Sequence, residues 1–156
     1  MNCVLLLLPL LAVACCHSTD ETLGNDRDMG STMTHRGGRY QYVSKQMTFL
    51  DAELHCKSLG EQGHLACIHS KEINDLILQL GESSGGPVWI GGHRLLKSEH
   101  FIWIDGSSWN YNNWAPGEPN FVGGAEECTE MYTSQQRAGS WNDISCSVTR
   151  SFICEY

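Results

Sequence analysis

From Trp114 the chain reads Trp114-Ala115-Pro116-Gly117-Glu118-Pro119-Asn120. It continues through Glu126 and Cys128 and closes with Trp141-Asn142-Asp143 ahead of Cys146. Its motifs supply three carboxylates, from Glu118, Glu126 and Asp143, and two side-chain amide oxygens, from Asn120 and Asn142, between tryptophans and cysteines. Hard divalent cations such as Ca²⁺ take about six to eight oxygen ligands, mixing carboxylates, amide carbonyls and water. The donor set suits calcium. It does not suit zinc, because no histidine lies between Glu118 and Cys146 and the cysteines read better as disulfides.

Around that stretch, a chain of 156 residues has room for one domain of ordinary size. Its first residues carry an apolar block, Val4 to Leu11, followed by Ala12-Val13-Ala14. The block is short for a membrane span, which needs about 20 residues, and the Ala-x-Ala end suits signal peptidase. Residues 1–14 are therefore expected to be a secretory signal peptide, its end falling between 14 and about 18. Secretion permits disulfides, so the eight cysteines are read first as a framework. Cys3 lies in the signal and Cys15 and Cys16 at its end. Cys56, Cys67, Cys128, Cys146 and Cys154 lie further on. Five is odd, so one thiol is free, pairs with Cys15 or Cys16, or bridges two chains. The formal net charge of −8 argues against a nucleic-acid or anionic-membrane surface and fits an extracellular protein that binds cations or neutral ligands.

Residues 15–38 are rich in Ser, Thr, Asp, Gly and Asn and cannot bury enough apolar surface to offset their ordering entropy; a mobile leader is expected there. Arg39 to Val43 alternates as a strand does. Thr48-Phe49-Leu50-Asp51 resembles a capping box, opening a helix with Phe49, Ala52, Leu54, Cys56 and Leu59 as apolar members and Gly60 as its end. A second helix is expected from Ser70 to Leu80, with Ile73, Leu76, Ile77 and Leu80 as its stripe. Leu65 to Ile68, Val88 to Gly92, Phe101 to Gly106 and Ser151 to Tyr156 read as strands. Residues 107–140 show little regular structure, and a loop of that length in a compact domain is usually functional or disordered. Trp89, Trp103 and Trp141 are expected in the core, with Trp109 and Trp114 packed beneath the loop. The order implies an α+β fold, with helices segregated from an antiparallel sheet.

Six signatures then stand in order: Ala52-Glu53-Leu54-His55-Cys56, Leu65 to Ser70, Trp89-Ile90-Gly91-Gly92, Glu118-Pro119-Asn120, Trp141-Asn142-Asp143 and Phe152-Ile153-Cys154. In them the chain resembles the C-type lectin domain over residues 39–156. The resemblance implies a disulfide-stapled fold with a long calcium-binding loop. It also implies the disulfides Cys56–Cys154 and Cys128–Cys146, and a cis Glu118–Pro119 bond. Carried over residue by residue, one calcium would be held by Glu118, Asn120, Glu126, Asn142 and Asp143. In the family a Glu-Pro-Asn triplet goes with sugars presenting equatorial 3- and 4-hydroxyls, such as mannose, N-acetylglucosamine, glucose and fucose-like sugars. Phe121 stands where some members place another acid for an auxiliary calcium, and Cys67 where a small residue is common.

The resemblance thus implies a secreted, calcium-dependent lectin for mannose-type glycans, with innate-defence recognition following from family habit. A disulfide-linked homo-oligomer through Cys15, Cys16 or Cys67 would supply avidity. The alternatives are a type II antifreeze-like protein binding ice or mineral, and a lectin-like domain binding a protein partner. No HExxH or Gly-x-Ser-x-Gly pattern occurs, and calcium would hold Glu118 and Glu126 ionised, so no catalysis is expected.

Overall fold

The computed structural model describes residues 29–96 and 98–156. The expected signal peptide, the first half of the expected leader, and Cys3, Cys15 and Cys16 lie outside the described residues.

The fold is α+β: two helices on a largely antiparallel sheet, stapled by two disulfides. Helix α1 (Phe49–Lys57) begins where Thr48 accepts the Asp51 N–H at 3.3 Å and donates its hydroxyl to the Asp51 carboxylate at 2.6 Å. It stops short of the expected Gly60. The Ser58 N–H is shared between Leu54 and His55 carbonyls, which tightens the last turn, and Gly63 lies against the Cys56 carbonyl where any Cβ would clash. Of its apolar members Phe49, Ala52 and Cys56 are buried, while Leu54 is 57% exposed and the acid Glu53 is buried in the inner place. Glu53 is held there by the Leu65 N–H at 2.8 Å and the His64 ring at 2.7 Å.

Helix α2 (Lys71–Gly81) is capped by Ser70, which accepts from the Ile73 N–H, and buries Ile73, Ile77 and Leu80 as its periodicity requires. Asn74 is buried on the same face. Its amide donates to the Gly139 carbonyl at 3.0 Å and its oxygen accepts the Trp141 indole N–H at 2.8 Å. Asn74→Ala would leave the Trp141 indole N–H buried without a mate, while the Gly139 carbonyl keeps the Asn113 amide at 2.8 Å. A loss of about 1–3 kcal/mol in urea unfolding with unchanged slope is expected.

The strands are β1 (Met29–His35), β2 (Gly38–Met47), β3 (His64–Leu65), β4 (Val88–Arg94), β5 (Phe101–Trp103), β6 (Cys128–Met131), β7 (Trp141–Ile144) and β8 (Arg150–Glu155). Their order is β1-β2-β8-β4-β6-β7, with β3 on β8 and β5 on β4. Three expectations are corrected here. From Met29 onward the supposed leader is strand β1, paired with β2 from Met29↔Val43 to His35↔Gly38; Met33 packs on the core and Gly30 lies against the Tyr42 ring. The sheet is mixed, because β4 runs parallel to β8 through Val88↔Ser151 and Trp89↔Phe152. Residues 107–140 contain strand β6, invisible as a periodic run because its four residues are all buried and its partners β4 and β7 are distant or later in sequence.

Both disulfides implied by the resemblance are formed: Cys56–Cys154 joins α1 to β8, and Cys128–Cys146 closes the base of the acidic loop. Spanning 98 and 18 residues, they constrain the unfolded chain by about 4.7 and 3 kcal/mol on loop-entropy arithmetic. Cys67 is a free thiol at 2% exposure. Its thiol donates to the Leu65 carbonyl, and burial followed by the nearby Asp105 charge pushes its pKa well up. Cys67 is therefore packed within this fold, in the inert setting expected of a buried thiol.

Trp89, Trp103 and Trp141 are fully buried. Trp109 stacks on Trp103 at 4.3 Å between ring centres and packs, with Trp114, against the core cluster. Phe101 packs against Trp109 and Trp114 and stacks on Phe121 of the acidic loop, 6.2 Å between ring centres.

Candidate calcium and ligand site

The acidic loop is tied to strand β7 by one side chain. Asp143, fully buried, accepts the Asn120 N–H through Oδ1 and the Phe121 N–H through Oδ2, both at 2.9 Å. Beyond that point the loop folds back on itself. The Val122 N–H is shared between Asn120 Oδ1 at 3.1 Å and Glu126 Oε2 at 2.8 Å. Phe121 sits at φ +54°, a conformation a bulky side chain adopts only when its surroundings impose it, and Asp143 holds its N–H and that of the residue before it. The Glu118–Pro119 bond is cis.

Four of the five sequence-derived donors, Glu118, Asn120, Glu126 and Asp143, therefore share one small region. Asn142 is placed differently. Its amide N–H donates to Glu130 Oε1 at 3.1 Å, on the facing strand, because neighbouring residues of a strand point to opposite sides. Glu130 is itself buried and bonded by the Arg150 guanidinium at 2.7 Å. This support is not legible in the sequence, since nothing there pairs residue 130 with residue 150. Arg94 was also missed. It donates from its backbone to the Glu127 carbonyl and from Nη1 to the Glu126 carbonyl, and lies 4.5 Å from the centre of the Phe121 ring. Phe121 thus has an arginine as its neighbour.

Glu118 Oε2 is buried with no hydrogen-bond partner. The Glu118 carboxyl is held above its ordinary pKa of 4.5 by burial first, then by the negative charge of Asp143, with Glu126 adding to it and Arg137 opposing. Among the described residues no three acidic, His or Cys groups close tightly enough to hold a metal as they stand, because backbone N–H groups occupy the oxygens of Asp143 and one oxygen of Glu126. The donor set fits a hard divalent ion all the same. It consists of hard oxygens, one of them buried and unpartnered, among charges that repel one another until a cation is shared.

Fold and site together define the class: a disulfide-stapled α+β recognition module that presents an acidic, amide-rich loop beside a cluster of aromatic rings. The family model described as "Lectin C-type domain" matches residues 45–156. The chain belongs to the C-type lectin domain family, whose members here are binding proteins and not enzymes. It is 36% identical over 125 residues to a lectin of Pleurodeles waltl, covering 78% of this chain and 72% of that one. It is 40% identical over 147 residues to the bone marrow proteoglycan of Rattus norvegicus, covering 88% of this chain but 62% of that one. Among solved structures, human lithostathine superposes with a TM-score of 0.73 at 27% identity, covering 80% of this chain and 95% of that one. The herring type II antifreeze protein superposes with a TM-score of 0.71 at 28% identity, covering 80% and 94%. No helix among the described residues is long and apolar enough to cross a membrane.

Proposed function

We propose that this chain is a secreted, calcium-dependent lectin that takes mannose-type sugars through one ion held by Glu118, Asn120, Glu126, Asn142 and Asp143. The observation that carries the reading is the buried, unpartnered Glu118 Oε2, set beside Asp143 and Glu126. When bound, the ion would offer open positions to two neighbouring sugar hydroxyls. Glu118 would accept a hydrogen bond from one hydroxyl and the Asn120 amide would donate to the other. Asn142 would turn its amide oxygen inward while Glu130 keeps hold of its N–H. Secretion is supported by the apolar start ending in Ala12-Val13-Ala14 and by the two disulfides. Recognition of microbial or self glycans in innate defence follows from the same reading.

A calcium titration of the chelator-treated protein, followed by a glycan panel on the same sample, tests this. Calcium is expected to raise the thermal midpoint, and mannose resin to retain the protein until chelator or free mannose is added. Because the raised Glu118 pKa lets a proton compete above the ordinary carboxylate range, calcium affinity should begin to fall on acidification above pH 4.5. No midpoint shift and no retention would sink the reading. The likeness to the herring antifreeze protein favours one second reading, an ice-binding protein. Thermal hysteresis without retention on any sugar would select it.

A further inference from the structure

We propose that Glu130 and Arg150 are positioning residues for the calcium site: their ion pair decides which end of the Asn142 amide is left to face the ion. The inference rests on the reading of Asn142 as a calcium ligand, and it adds two residues outside the acidic loop on which that ligand depends.

An asparagine side chain has two ends of nearly equal size, and only its oxygen can ligate a cation. Something beyond the residue itself must select that end. On β7, the last strand of the sheet, Asn142 stands directly opposite Glu130 of β6. All four residues of β6 are buried, and a carboxylate among them is tolerated only when its oxygens are matched. Both are. Oε1 accepts the Asn142 amide N–H at 3.1 Å, and Oε2 accepts the Arg150 Nε–H at 2.7 Å. Arg150 comes from the start of β8 and is steadied through Nη1, which donates to the Thr149 carbonyl at 3.0 Å.

The three side chains form a relay with one direction. A guanidinium only donates and a carboxylate only accepts, so Arg150 holds one oxygen of Glu130 and the other can take only the N–H end of Asn142. The Asn142 oxygen is thereby kept out of this contact and left to the ion. Donation to a charged acceptor also polarises the amide and makes its oxygen a better ligand, as carboxylates do for metal-bound histidines. The support comes from the body of the domain, since β8 is itself fastened to α1 through Cys154. Asp143 thus ties the acidic loop down, while Glu130 and Arg150 set its neighbour from the sheet.

The direction of the relay sets the test. In Glu130→Gln, Arg150 would take the glutamine oxygen, and the glutamine N–H would then claim the oxygen of Asn142, turning its nitrogen toward the ion. Calorimetry on the full chain is expected to show calcium bound about tenfold more weakly. Terbium in place of calcium, followed by its luminescence lifetime in H₂O and D₂O, should carry about one more water, because a protein ligand has been lost. Adding Asn142→Asp should restore affinity and hydration in the Glu130→Gln background, where the aspartate accepts the glutamine N–H. On its own it should weaken binding, because two carboxylates would face each other across the strands. A merely structural role for Glu130 would not reverse that sign. Should Glu130→Gln fail to fold in chelator, Arg150→Met, at a side chain 25% exposed, is expected to weaken calcium binding about threefold with the same gain in terbium hydration. Unchanged calcium affinity in the folded single variant, a loss of affinity with unchanged terbium hydration, or an equal effect of Asn142→Asp in both backgrounds overturns the positioning role and leaves the calcium site standing. Absence of calcium binding in the unaltered chain overturns the lectin reading and this inference with it.

Discussion

Asp143→Ala is expected to destabilise the protein by about 3–5 kcal/mol even in chelator, and to abolish calcium-dependent sugar retention. The side chain is fully buried and each oxygen accepts a loop N–H at 2.9 Å, from Asn120 and from Phe121. Hydrogen bonds to a charged group contribute about 1.5–3 kcal/mol each, and removing the acceptor takes both from the loop, leaving its two donors to solvent. Phe121 is also held in the left-handed region, so without its Asp143 bond the loop has little reason to keep that conformation. Asp143→Asn should recover only part of the loss, because its amide nitrogen would face one of the two N–H groups. Urea unfolding in chelator isolates the structural share from any contribution of bound calcium. A loss below about 1 kcal/mol would show that Asp143 does not anchor the loop.

That double role of Asp143 marks where sequence reading succeeds and where it runs out. Residues whose meaning is local were legible. Thr48 and Ser70 cap the helices they precede, the Ile73, Ile77 and Leu80 stripe is buried, and Trp89, Trp103 and Trp141 fill the core. Residues whose meaning depends on pairing were not. Strand β6 carries no alternation because all four of its residues are buried, so only its ladders to β4 and β7 define it. Strand β1 looked too polar to fold, yet β2 supplies its backbone partners and Met33 its packing. Apolar character alone does not show that Leu54 faces out, while Glu53 holds the inner position by finding the Leu65 N–H and His64. At the acidic loop the donor types and their spacing were legible. The hand-over of Asp143 to two backbone N–H groups, and of Asn142 to Glu130, was not, since both depend on where distant strands bring the loop.

The double replacement Glu118→Gln with Asn120→Asp is expected to move sugar preference from mannose toward galactose, changing the ratio of the two affinities at least tenfold. Each sugar hydroxyl that binds beside a calcium ion both donates and accepts, so the order of acceptor and donor side chains fixes which hydroxyl pair is accommodated. As it stands the acceptor-only group is at 118 and the amide donor at 120. Exchanging them reverses that order while keeping the carboxylate count of the loop, and calcium affinity depends strongly on that count. The structure tolerates the exchange. An aspartate at 120 keeps an oxygen for the Val122 N–H now bonded at 3.1 Å, and a glutamine at 118 retains the length of the side chain. It also gives the unpartnered Glu118 oxygen position to a neutral amide, and so shifts, without removing, the repulsion shared with Asp143 and Glu126. Competitive elution from mannose and galactose resins, with a calcium titration of the variant alongside, reads both consequences. A variant that still binds calcium and still prefers mannose would place the sugar away from Glu118 and Asn120. A variant that no longer binds calcium would show that the ion depends on the order of these two side chains as well as on their charge.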